Sequence, residues 1–376
     1  MRVAILSNVM KAEGEFKEVE ENLMEFGTYI REVLESAGHE VIFFDVNEST
    51  YEALRNSNID IAFNVCERFR GNSLFEPHIA SMLELLDIPY TGSGHLTLAT
   101  SINKVRVKEI LMHYGILTPN YQVFNSKNKK LDPELKFPLI IKPMCMDNSI
   151  GITNDSVASN EDELRAKVGD ILKTYDQPAL VEEFVEGREI TVSIIGNGKT
   201  TTALPLSEVV FKDWPENMKK VYNYEAKWCK DTINWKGIRV ECPADLPKYQ
   251  ESRIKKIAVQ VYKIMNCRDY GRIDIRLNND GVPYVLEINP NPGISPNEDD
   301  GQPDFLPFAA KQAGITYREL IIRILNEALM RYEMQKLEMP ENVLIVEESS
   351  IKNRAAELAK QRQIEPVEIS VNNPDS

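Results

Sequence analysis

The stretch GRIDIRLNNDGVPYVLEINPNPG, Gly271 to Gly293, decides how the rest of this chain is read. Two apolar-rich runs, 271–277 and 282–289, flank Asn278-Asn279-Asp280-Gly281, a turn signal between β-formers, so a β-hairpin is expected. A two- or four-residue loop sets Arg272 opposite Glu287 and Asp274 opposite Val285. Side chains alternate along a strand, which gathers Ile273, Ile275, Leu277, Val282, Tyr284, Leu286 and Ile288 on one apolar face. Arg272, Asp274, Arg276, Glu287 and Asn289 share the other. Asp274 and Glu287 then become diagonal neighbours within reach of one cation, with Asn289 further along.

Two carboxylates and an amide on one face suit a hard cation that takes oxygen ligands and leaves positions open for phosphate, Mg²⁺ or Mn²⁺. The plain alternative is the solvated polar face of an amphipathic hairpin. Pro290 and Pro292 stop the ladder, and Gly293 lets backbone N–H groups approach a ligand closely, which favours a site.

This D-I-R…L-E-I-N-P-N-P-G pattern resembles the metal-binding end of the ATP-grasp ligases, with spacing similar to that of D-alanine–D-alanine ligases. The resemblance implies that Asp274, Glu287 and Asn289 hold two Mg²⁺ ions against the ATP phosphates. It also implies that Arg272 and the Gly293 backbone attend the reacting intermediate.

The composition is compatible with that reading. A chain of 376 residues, 43% hydrophobic and 27% charged, is long enough for two or three domains with a large core. A net charge of −14 argues against nucleic acid or an anionic membrane surface as partner. Five scattered cysteines without C-x-x-C fit a reduced compartment. The apolar run Val3–Leu6 is too short for a signal peptide, and no run has the length of a membrane span, so a cytoplasmic protein is expected.

Upstream, Val3–Ser7, a helix Glu18–Ala37 and Glu40–Val46 form a strand–helix–strand unit, with a third strand at Ile59–Val65. Helix Glu76–Leu86 and the turn Pro89–Gly94 close a first open parallel α/β domain at about residue 102. The loop after the first strand lacks G-x-G-x-x-G, so no dinucleotide site is read there. Arg68 and Arg70 follow the third strand's carboxyl end, the ligand side of such a sheet, and one of them is expected to meet the carboxylate substrate or the phosphates.

From Asn103 a helix runs to about Tyr114, and read alone its Lys104 is a solvated lysine. The resemblance makes Lys104 a phosphate contact. Lys142 ends the apolar strand 137–143, where a lysine is costly unless it snorkels or meets an anion. In the resembling proteins a lysine here reaches the α/β-phosphates. Ser149-Ile150-Gly151 match a flap whose N–H groups cover phosphates, although Asp147 and Asn148 stand where the ligases carry Gly and Ser. The resemblance further implies adenine recognition by Glu182-Glu183-Phe184-Val185, ribose binding by Glu189, and a γ-phosphate contact by Lys227. Lys227 sits in the Tyr222–Trp228 segment of a lid loop at about 205–240. Helices at Glu161–Thr174, Glu251–Met265 and 314–335 complete the reading.

The fold class expected is therefore α/β: an N-terminal open parallel (pre-ATP-grasp) domain, 1–102, followed by an ATP-grasp domain, 103–335, whose two α+β subdomains clasp ATP. Residues 336–376 read as a partly helical appendage. The activity implied is an ATP-dependent carboxylate–amine ligase working through an acyl phosphate. A thiol acceptor, a phosphotransferase and a non-catalytic ATP-binding regulator are the alternatives. ATP and Mg²⁺ are the cofactors, small-molecule carboxylates and amines the partners, and a homodimer the assembly left open.

The substrate contacts depart from the resembling ligases. Residues 7–18 lack their glycine-rich segment and its amine-binding glutamate, for which Glu13, Glu15 and Glu18 are loose substitutes. Asn64–Arg68 replaces their His-Gly segment, and Pro296–Gly301 replaces the Ser-Leu pair that holds the second substrate's carboxylate. The acidic Glu298, Asp299, Asp300 and Asp304 would instead attract a second positive charge on the acceptor, unless that loop is merely solvated.

Overall fold

The computed structural model describes residues 1–8, 17–212, 214–216, 218–296 and 302–333, with side chains along the first helix described from Gly27 onward. Glu13, Glu15, Glu298, Asp299, Asp300, the Glu18 side chain and the appendage 336–376 lie outside that set. Among the described residues no helix is long and apolar enough to cross a membrane.

The described residues lay down three open sheets in turn. The first is parallel and three-stranded, with Arg2–Ser7 between Glu40–Asp45 and Ile61–Asn64. Its strands are apolar on both faces because helices cover both, Lys17–Ser36 on one side and Glu76–Leu85 on the other. Two short helices, Thr50–Arg55 and His95–Ser101, were not expected from the sequence.

The second sheet is antiparallel and four-stranded, ordered Tyr121–Phe124, Ala179–Glu183, Leu139–Pro143, Val157–Ala158. Helix Glu161–Thr174 packs Leu164, Val168 and Ile171 onto it. Asn160 starts that helix by accepting the Glu163 N–H, the ordinary N-cap bond.

The third sheet has six strands and carries the hairpin. Gly187–Ile195 pairs along its whole length with Tyr270–Asn278, which pairs in turn with Pro283–Asn289. Helix Lys248–Ile264 covers the back, burying Ile273, Ile275 and Ile288, each such side chain contributing about 1.5–3 kcal/mol before ordering costs.

The hairpin register differs from expectation. Arg272 faces Asn289 and Asp274 faces Glu287, whereas Ile275 faces Val285, because Leu286 is an extra residue in the second strand. That β-bulge switches the pleat, so Pro283 and Val285 are buried while Tyr284 and Leu286 lie on the more open face. Asp274 and Glu287 are thereby direct rather than diagonal neighbours.

Residues 205–240 are only partly a loop. Ser207–Phe211 and Ile238–Glu241 are paired strands, with Val209 and Phe211 alternating against Ile238 and Val240, and the segment between them carries short helices at Tyr224–Trp228 and Ile233–Lys236. The helix expected at 314–335 is Tyr317–Arg331, opened by a Thr316/Glu319 capping box, with a separate helix, Phe305–Gln312, before it.

One buried carboxylate ties the first sheet to the third. Asp269 pairs with Arg331 at 2.8 Å and accepts the Gly92 N–H at 2.7 Å and Asn197 Nδ2 at 2.8 Å. The Arg331 guanidinium also donates to the Tyr90 carbonyl at 2.7 Å, so the turn 89–94 is held against the sheet that bears the hairpin.

Candidate active site

The second and third sheets present opposing polar faces, and the charged residues of the sequence reading converge there. Asp274 is held by Arg272, whose Nε and Nη2 lie 3.1 and 3.0 Å from its two oxygens, and by Thr191 Oγ1 at 3.1 Å. Strand alternation makes this possible: Arg272 and Asp274 are two apart on one face, and Thr191 is the cross-strand partner of Asp274.

Glu287 meets Lys104 at 3.3 Å. Asn103 caps the lysine's helix through Val105 and Arg106 N–H groups, which places Lys104 in the first turn, buried and donating to the Met146 carbonyl. Burial alone would raise the Glu287 carboxyl, but Lys104, Lys227, Lys142 and Arg272 outweigh it and hold it at about 2. Four cations from four elements therefore act on one carboxylate.

Lys227 reaches this centre from the helix Tyr224–Trp228, its Nζ 4.9 Å from the Tyr222 ring centroid. Burial lowers its pKa and Arg272 adds to that, while Glu287, Asp274 and Glu189 oppose. Glu189 belongs to the same centre. Burial raises its carboxyl against the pull of Arg276 and Lys227, and Arg276 Nη1 lies 3.0 Å from it. The guanidinium of Arg276 also sits 5.4 Å from the Phe184 ring centroid.

Lys142 does not stand free. It pairs with Glu182, whose other oxygen takes Lys108 Nζ at 2.5 Å, and all three side chains are at most 7% exposed. Lys108 also donates to Thr118 Oγ1 at 2.6 Å. The sequence reading passed over Lys108, although its spacing of four from Lys104 put both lysines on one helix face. Glu183 points elsewhere, accepting Asn120 Nδ2 at 2.9 Å and the Lys136 N–H at 3.2 Å. The Glu183 and Phe184 N–H groups are taken by the carbonyls of Asn120 and Pro138, each at 3.0 Å. Among the described residues the Val185 N–H has no such partner.

The flap and lid are joined. Ser149 Oγ donates to the Tyr222 carbonyl at 3.0 Å, Trp228 Nε1 to the Asn148 carbonyl at 3.2 Å, and the Tyr224 N–H to the Ile152 carbonyl at 3.1 Å. Asn148, Ser149 and Gly151 all have positive φ, so the flap backbone curls. At Gly151 a Cβ would come within 2.5 Å of the Pro143 ring, which requires glycine there. Ile150 is buried beneath.

The first sheet closes the far side. Buried Arg68 faces Asp147 of the flap at 3.5 Å, and Ser73 Oγ donates to the same oxygen at 3.0 Å. Arg70 instead pairs with Glu48 at 2.6 Å on the exposed surface. Asn291 donates to Glu76 Oε1 at 3.0 Å and its own N–H goes to Asn289 Oδ1 at 3.0 Å, linking the first domain to the end of the hairpin. Neither Glu76 nor Asn291 stood out in the sequence.

The donor set fits a hard divalent cation. Two carboxylates face each other across the hairpin with the Asn289 amide beside them, oxygen donors only. Mg²⁺ takes one or two carboxylates and completes its shell with water and phosphate.

A lysine-lined cleft between two antiparallel sheets, with facing carboxylates on one sheet and a backbone flap over it, is the architecture of an ATP-grasp ligase. The family profile described as the D-ala D-ala ligase C-terminus matches residues 110–326. A D-alanine–D-alanine ligase of Bordetella avium is 32% identical over 317 residues, 84% of this chain and 92% of its own. One from Nitrosospira multiformis is 31% identical over 329 residues, 87% and 96% of the two chains. The crystal structure of the Bacillus anthracis D-alanine–D-alanine ligase complexed with ATP superposes with a TM-score of 0.68 at 25% identity, covering 89% of this chain and 98% of that one.

This chain belongs to the D-alanine–D-alanine ligase family. It is an ATP-dependent ATP-grasp enzyme that forms a carbon–nitrogen bond between a carboxylate and an amine through an acyl phosphate.

Proposed function

We propose that the chain ligates a small carboxylate to an amine other than D-alanine, with the residues around Glu287 as its phosphoryl-transfer centre. The observation that carries the assignment of the centre is the pairing of Lys104 with Glu287 at 3.3 Å and of Arg272 with Asp274 at 3.0 Å, the two carboxylates facing each other across the hairpin. Asp274, Glu287 and Asn289 would hold two Mg²⁺ ions, or Mn²⁺ in their place. Such ions, when bound, neutralise the polyphosphate and polarise the transferring phosphoryl group.

Lys104, Lys142 and Lys227 add positive charge along the phosphates, and the flap Ser149-Ile150-Gly151 excludes water from above them. The Val185 N–H and neighbouring carbonyls read adenine beside Phe184, and Glu189, held by Arg276, takes the ribose hydroxyls. The substrate carboxylate attacks the γ-phosphorus and ADP leaves. An amine then adds to the acyl phosphate, and Arg272 with the Gly293 N–H stabilises the oxyanion until phosphate departs. The domains would divide at about 102 and 336. A cytoplasmic enzyme with no nucleic-acid partner completes the reading.

D-alanine is disfavoured because the segments that meet substrate in the resembling ligases are replaced here, with Glu67 and Arg68 in place of His-Gly. The test is an ADP-release screen of carboxylates against amines with Mg²⁺ present. Release that needs both partners supports the reading. Release with a carboxylate alone would make the enzyme a phosphotransferase, and D-alanine as best donor and acceptor would overturn the substrate assignment.

A further inference from the structure

Asp304 occupies the N-cap position of the helix Phe305–Gln312 and yet does not cap it, since its side chain accepts no N–H from that helix. A capping aspartate ordinarily stabilises a helix by accepting one of its first free N–H groups. The carboxylate is turned instead onto Gly293: a Cβ built there would lie 2.5 and 2.6 Å from its two oxygens. Oδ2 accepts the Ser295 N–H at 2.7 Å, which fixes the orientation. The next residue, Phe305, lays its ring under the Arg272 guanidinium at 5.4 Å. Asp304 is thus locked beside the two groups assigned to the oxyanion, where the second substrate must arrive.

Two enclosed carboxyl groups, Asp304 and Glu67, act on each other here. Burial raises the Asp304 carboxyl to about 6 against the Ser295 N–H and Arg272. Glu67, on the first-domain loop, is raised to about 8, by burial first and then by Asp147 and Asp304, against Arg68 and Asn148. Arg68 already faces Asp147, and Arg272 already faces Asp274. An acceptor bringing a carboxylate beside its amine would add another anion next to Asp304, and like charges brought together in an enclosed site cost several kcal/mol.

Building on the ligase reading above, we propose that Asp304 selects the acceptor: an amine with no carboxylate beside it and with a second ammonium group, such as a short diamine. The ammonium would pair with the Asp304 oxygen not engaged by Ser295. Gly293 is required on this account because any side chain there would displace the selecting carboxylate. Specificity then comes both from an attraction and from a built-in repulsion.

The experiment uses the full chain with Mg²⁺ and a non-hydrolysable ATP analogue. It is titrated calorimetrically with 1,2-diaminopropane, isopropylamine and alanine of either hand, three amines of matched shape. The diamine is expected to bind about tenfold or more tighter than alanine, as a like-charge penalty of this size predicts. Asp304→Asn keeps an acceptor for the Ser295 N–H and removes the charge, so the preference should collapse while the melting temperature holds. Asp304→Ser serves as the second variant should the first fail to fold. Equal or tighter binding of alanine by the unmodified protein, or a ratio unchanged in the variants, overturns the proposal. ADP release measured with the same amines separates the two readings, because amine-independent release refutes the ligase assignment without altering the binding ratio.

Discussion

Asp274 lies directly across the hairpin from Glu287, and each is already matched to a cation, Arg272 at 3.0 Å and Lys104 at 3.3 Å. The two carboxylates are therefore placed together, each against its own cation, before any metal arrives. Their proximity would be repulsive without those partners, so the arrangement is a preformed acceptor for further positive charge.

Replacing Glu287 by Gln keeps the size and hydrogen-bonding capacity of the side chain and removes its charge. Turnover is expected to fall by about 10²-fold or more with secondary structure retained, in line with the loss of a charge placed for the transition state. Steady-state ADP release at ordinary Mg²⁺ checks it, and near-normal turnover would show that the hairpin is not the metal site.

Glu182 is the shared counter-ion of Lys108 and Lys142, and it is 1% exposed. Glu182→Gln leaves two buried lysines without a carboxylate. Breaking a buried pair in this way costs about 3–5 kcal/mol, so a lowered urea midpoint is expected together with a raised KM for ATP. If both quantities are unchanged, the triad is neither structural nor part of the nucleotide site.

Arg68 and Arg70 come apart in the fold although they are neighbours in the chain. Arg68→Ala frees the flap residue Asp147 and is expected to lower kcat/KM for the carboxylate by about tenfold or more, as loss of a charged hydrogen bond does. Arg70→Ala removes a contact with Glu48 on the exposed surface and should leave the kinetics unchanged. Equal effects of the two substitutions would contradict this division.

Stability should fall with rising pH in a way that Glu67 controls. Its folded value, about 8, lies above that of an exposed glutamate, so the folded chain holds the proton that the unfolded chain releases. That contribution is complete below the unfolded pKa and is lost as pH rises through 8, at up to about 1.4 kcal/mol per unit. Urea unfolding at pH 5, 6.5 and 8 should show a shallower decline for Glu67→Gln than for the unmodified chain. Parallel profiles would place Glu67 in an ordinary solvated setting.

Much of this protein is written locally. The turn at Asn278–Gly281, the helix starting beside Asn103, and the apolar strand ending in Lys142 are decided by residues within a few positions of one another, and the sequence shows them directly. The order of Lys104, Lys142, Ser149-Ile150-Gly151, Lys227 and the hairpin is equally visible, because the site strings its parts along the chain. What the tertiary structure alone decided begins where one residue's effect depends on a distant one. The extra residue Leu286 has no compositional signature, yet its bulge makes Asp274 and Glu287 face each other and turns Tyr284 outward. Lys142 reads as a lone phosphate ligand until Glu182, on the neighbouring strand, pairs with it and with Lys108 at once. Arg68 finds Asp147 across 79 positions, and Asp304 gives up its own helix cap to lie against Gly293. Propensity and periodicity are short-range terms; ion pairs and packing in an enclosed cleft depend on where three separate sheets bring their edges, and only the folded chain specifies that.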